Sequence, residues 1–72
     1  MNTNWIDDVL RLNARIVATR TIVSAQGDRI LEMLEAREDT SLAEALFKSY
    51  GRQLAYLRMM QAELLQQPEA SK

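Results

Sequence analysis

The stretch "EAREDTSLAE", residues 35–44, decides the fold. It lies between two long segments of helix-forming composition and sets three cap-forming residues, Asp39, Thr40 and Ser41, side by side. Short polar side chains of this kind accept bonds from the N–H groups that a helix start leaves open. Ser41 followed three residues later by Glu44 reads as a capping box. The chain is therefore expected to turn here and start a second helix. A connection this short joins antiparallel neighbours.

Upstream of the turn, the spacing predicts a first helix over about residues 4–37, with Asn4 as its cap. Asp7 and Asp8 then stand near the positive end of the helix dipole. Val9, Ile16, Val23 and Ile30 recur every seven residues. Trp5, Leu12 and Met33 occupy the companion row, and Thr19 and Gln26 fill its two remaining places. This is a coiled-coil-like seam with a polar middle. The run "IVATRTIV", residues 16–23, has a strand-like content of β-branched residues, but the seven-residue spacing continues on both sides of it and favours helix. The alternative is a break at "AQGD", with Gly27 ending one helix and Asp28 starting another.

Downstream, a second helix is expected over about residues 41–67, stopped by Pro68. Its apolar stripe is Phe47, Tyr50, Leu54, Leu57 and Leu64. Residues 1–67 then form a single helical domain, and "PEASK", residues 68–72, a disordered tail. The fold class is all-α, an antiparallel two-helix hairpin.

Gly51 interrupts the second helix, where alanine would be more favourable by roughly 1 kcal/mol. Folding the chain at Asp39 brings residues whose numbers total about 78 to one height, which sets Gly51 opposite Gly27. Two positions without side chains at one level suggest a close helix crossing. The same rule leaves Trp5, Ile6 and Val9 overhanging the end of the second helix. Arg20, Asn13 and Gln61 intrude on the apolar faces. A buried arginine is costly without a partner, so Arg20 either reaches the rim with its stem packed or belongs to a polar layer that fixes register.

The bulk composition narrows the function. The chain has 72 residues with no cysteine and no histidine, nine basic and ten acidic residues, and a net charge of −1. A domain this small is marginal alone and usually gains help from disulfides, a metal or a partner. Without Cys or His, disulfides, thiolate sites and the commonest metal ligand and general base are missing. The glutamates at 32, 35 and 38 lack the histidines of a di-iron bundle and read as a solvated face. No phosphate-cradling glycine loop is present. No enzymatic activity and no cofactor are expected. Balanced charge argues against nucleic acid. No apolar run of ~18 residues exists to span a membrane, and the segment "MNTNWIDDVL" does not resemble a signal peptide. A cytoplasmic location fits the absence of cysteine.

Help from another chain is what remains. Twenty-four large apolar residues follow Met1, about twice what a two-helix seam covers. Leu10, Val17 and Leu31 widen the apolar face of the first helix beyond that seam. The hairpin is expected to pair with itself into a four-helix bundle, or with another helical protein, through Trp5, Val9, Leu12, Ile16, Val23 and Ile30 with Tyr50, Leu54 and Leu57. The function expected is a non-enzymatic interaction or regulatory module. The alternative is a small dimeric nucleic-acid-binding protein whose phosphate contacts are Arg11, Arg15 and Arg29, along one side of the first helix.

Asp39, Thr40, Ala43, Leu46, Leu54, Met59 and Leu64, within residues 34–65, resemble the pattern of short uncharacterised bacterial helical-hairpin proteins. The glycine such hairpins carry in the turn is absent, and Glu38 stands near its place. The resemblance implies a small bacterial helical hairpin and brings no activity with it.

Overall fold

The computed structural model describes residues 3–66. Two helices make up nearly all of this span, α1 at Thr3–Glu35 and α2 at Ser41–Leu65, and no strand occurs among the described residues. They pack side by side as an antiparallel hairpin 57 Å long. The proposed tail, residues 68–72, and the last residue expected in the second helix, Gln67, lie outside the described residues.

α1 passes through Gly27 without a break, and residues 16–23 are helical. The seven-residue apolar spacing thus outweighs both the local β-branched content and the single glycine. Asn4 is itself helical, with Thr3 before it already in the helix, so it is not the residue that caps α1.

α1 ends two residues earlier than expected, and its end is well defined. Arg37 adopts a left-handed conformation with φ of 60°. The Glu38 N–H donates to the Met33 carbonyl at 2.8 Å, and the Arg37 N–H to the Leu34 carbonyl at 3.1 Å. These are the two bonds of a Schellman motif, which normally has glycine at the left-handed position. Arg37 therefore stands where such a motif normally has glycine. Asp39 then caps α2: its carboxylate accepts from the Ser41 N–H at 2.9 Å and from the Ser41 hydroxyl at 2.7 Å. Thr40 is the N-cap residue, and its hydroxyl bonds to the Glu44 carboxylate rather than to a backbone N–H. The Ser41–Glu44 capping box is thus replaced by an Asp39–Ser41 turn and a Thr40–Glu44 pair.

The helices meet in a register that the sequence did not indicate. The Trp5 indole N–H donates to the Leu64 carbonyl at 2.9 Å, and the Gln26 amide to the Ala43 carbonyl at 2.9 Å. In both pairs the residue numbers total 69, not 78. Five residues of connection, 36–40, therefore run back along α1 before α2 begins. Two corrections follow. Trp5 does not overhang α2 but is bonded to its last turn, and the overhang is at the turn end of α1, where Leu31 and Leu34 are exposed. Gly51 does not face Gly27, so the expected close crossing of the two backbones is not formed within the hairpin. A Cβ at Gly51 would meet no atom within 4 Å, and one at Gly27 would meet only the Phe47 ring, at 3.4 Å.

Candidate interaction surface

The nine positions of the α1 seam, Trp5, Val9, Leu12, Ile16, Thr19, Val23, Gln26, Ile30 and Met33, are all buried or half-buried. Their partners on α2 follow the same spacing, with Ala43, Tyr50, Leu54, Leu57, Gln61 and Leu64 at least half-buried. The centre of the contact is Leu12, Ile16 and Leu57, at 7%, 5% and 5% exposure, with Leu54, Met60 and Leu64 packed against them. The residues expected to contact a partner chain are therefore those that hold the two helices of one chain together. Trp5, Val9, Val23, Ile30, Tyr50 and Leu54 remain only half-buried. Two polar side chains in the seam, Trp5 and Gln26, are satisfied by backbone carbonyls of the opposite helix, which removes the desolvation cost of burying them. Because both bonds cross the hairpin, one near each end, sliding α2 by a turn would break both.

Two flanks run beside this seam. Val17, Arg20 and Ser24 line a groove with Leu54 and Arg58 on one side. Asp8, Arg11 and Arg15 line a groove with Met60 and Glu63 on the other. Heptad spacing extends the first flank to Ile6, Leu10, Leu31 and Leu34, and the second to Ile22 and Arg29. Arg20 is exposed and shares its groove with Arg58 and Asp28, so it sits at the rim and not in a buried polar layer. Asn13 is exposed as well, whereas Gln61 is half-buried.

Arg11, Arg15 and Arg29 are exposed and do share one flank. Arg11 and Arg15 stand in a groove with two carboxylates, Asp8 and Glu63, so the local charge cancels.

The apolar surface left over is large. Eleven large apolar residues are exposed among the described residues, including Leu10 and Leu31 at 62% and Leu42 at 75%. None of the described side chains falls below 2% exposure. Leu42, Leu46, Tyr56 and Met59 of α2 belong to this surface, although none of them lies in the apolar stripe that the sequence pattern marks on that helix. The signal was present in their number and not in their spacing.

Among the described residues, no group of three metal-ligating side chains is placed to hold an ion, and no helix is long and apolar enough to cross a membrane. Asp39 is held below the ordinary 3.8 chiefly by the hydroxyl and then the N–H of Ser41. That displacement belongs to the helix cap. Comparison with protein families, curated proteins and solved structures finds no match for this chain.

Proposed function

We propose that the chain is a non-enzymatic interaction module that works as a homodimer, two hairpins making one four-helix bundle. The observation that supports this reading is the mismatch between what the hairpin buries and what it exposes. Its seam fully encloses no described side chain, while eleven large apolar residues face solvent. A contiguous apolar surface beyond a few hundred Å² is unusual on a monomer and marks an association site. Covering each large side chain contributes about 1.5–3 kcal/mol. A second hairpin supplies such cover and converts a two-helix contact into the four-helix core that small helical domains commonly use.

Sedimentation equilibrium tests the reading. A species of twice the 8.3 kDa chain mass is expected at micromolar concentration. A stable folded monomer of single mass at those concentrations would remove the basis for the proposal.

A further inference from the structure

The homodimer reading leaves open which surface pairs and in which direction, and the distribution of charge and of apolar residues bears on both. We propose that a second copy of the hairpin docks on the α1 flank formed by Ile6, Leu10, Val17, Leu31 and Leu34, in antiparallel fashion, so that the turn of one hairpin lies beside the open end of the other. This inference rests on the homodimer reading and specifies its geometry.

The choice of flank follows from charge. The nine positions from Ile6 to Leu34 on this side of α1 are Ile6, Leu10, Asn13, Val17, Arg20, Ser24, Gly27, Leu31 and Leu34, spaced alternately by four and three residues. They form a second complete heptad seam, and Arg20 is its single charge. The opposite flank carries Asp8, Arg11, Arg15, Arg29 and Glu32. Interface cores are depleted of charged residues, so the first flank is the one suited to burial.

The direction follows from symmetry and electrostatics together. Apolar residues occupy the two ends of this seam, Ile6 and Leu10 at one and Leu31 and Leu34 at the other, and Asn13, Val17, Arg20, Ser24 and Gly27 lie between them. An antiparallel copy, turned by a two-fold axis near Arg20, brings Ile6 and Leu10 onto the partner's Leu34 and Leu31, Val17 onto the partner's Ser24, and the two Arg20 side chains to the axis. A parallel copy would match the apolar ends equally well, but the charges distinguish the two. Residues 21–48, the turn half, hold six acidic and three basic side chains, a net of −3. The open half, residues 3–20 and 49–66, holds three acidic and five basic, a net of +2. Antiparallel docking sets the negative half of each hairpin beside the positive half of the other, and parallel docking sets like beside like. Over the roughly 10 Å between adjacent helices, salt at 0.1 M screens these fields only in part, so charge selects the orientation.

The chain has no cysteine, so introduced thiols report on the interface alone. Leu10→Cys and Leu31→Cys variants, mixed and treated with a short bis-maleimide, are expected to give a covalent dimer that joins one of each. Leu10→Cys alone is expected to give little, because its two copies would lie about 31 Å apart along the helices. Arg20→Cys, at the two-fold axis, is expected to link to itself. Sedimentation of the untreated variants separates the possible failures. Efficient self-linking of Leu10→Cys in a dimer would overturn the antiparallel geometry and leave the homodimer standing. Linking through Tyr56→Cys but not through the three α1 sites would overturn the choice of flank. A wild-type chain that stays monomeric would overturn both the geometry and the homodimer.

Discussion

At the scale of single residues, two positions carry backbone cost without a compensating contact. Gly51 lies in mid-helix with nothing in the hairpin near the place of a Cβ. Gly51→Ala is therefore expected to raise stability by about 1 kcal/mol, read as a shift of the urea midpoint at unchanged slope. Gly51→Leu is expected to stay within about 0.3 kcal/mol of Gly51→Ala, since leucine is nearly as good a helix former and its Cβ meets nothing beyond its own helix. A sharp loss with leucine alone would show that bulk is excluded there. Arg37 is the reciprocal case: a residue with a Cβ holds the left-handed position that ends α1. That conformation costs a non-glycine residue roughly 1–2 kcal/mol, and glycine's larger unfolded-state entropy offsets part of any relief. Arg37→Gly is expected to stabilise by about 0.5–1 kcal/mol, and a loss in urea unfolding would contradict the Schellman assignment. The sequence did not show that Arg37 takes the left-handed position. The left-handed position is fixed by where the last α-helical bond closes, and helix ends shift by a residue or two without any change of pattern.

At the scale of elements, α2 is started by Asp39, and this gives its stability a defined dependence on pH. Asp39 titrates lower in the folded chain than its ordinary 3.8, because its ionised form accepts two bonds from Ser41. A carboxyl group depressed by folding contributes stability that is present above the unfolded value and is lost as pH falls through the folded one. Asp39→Ala is thus expected to be less stable than wild type at about pH 7, with the difference closing in acid below the ordinary carboxylate range. A gap that persists unchanged into acid would mean that the carboxylate is not the group responsible. The two helices and the residues that face inward were legible, because a seven-residue spacing maps directly onto one side of a helix. The axial register was not. Periodicity states which residues point at the other helix and is nearly blind to sliding by a turn, since each slide returns the same face to the same partner. Two hydrogen bonds from Trp5 and Gln26 choose among those alternatives, and a connection that runs back along α1 makes the choice possible. The seam itself has a direct test. Ile16 is 5% exposed at its centre, and Ile16→Asp places a carboxylate there at a cost of several kcal/mol, on the order of the whole stability of a chain this size. Loss of far-ultraviolet helical circular dichroism is expected, and retention of the wild-type melting curve would refute the seam.

At the scale of the whole molecule, the hairpin is a rod with a thin core, and its stability should depend on how much of it is present. The fully enclosed interior that a globular domain relies on does not form between two helices, since each can present only one strip to the other. The second apolar strip on α1 and the exposed leucines and tyrosine of α2 remain open to water in the single chain. If a second hairpin covers them, folding and association become one equilibrium, because the partner binds the folded hairpin and not the unfolded chain. Mass action then fixes the sign and size of the effect: each tenfold rise in chain concentration stabilises the dimer by about 1.4 kcal/mol. For a 72-residue chain, a change of 1 kcal/mol moves a melting midpoint by roughly 4–8 °C, for one chain folding alone. Unfolding of a dimer shares its entropy between two chains, so the shift per decade should fall at or below the lower end of that range. Circular dichroism melts from about 1 to about 100 μM, two decades, are therefore expected to show a midpoint that climbs by several degrees in proportion to the logarithm of concentration. A midpoint that stays fixed across both decades would mean that the exposed apolar strips contribute nothing to the folded state through self-association.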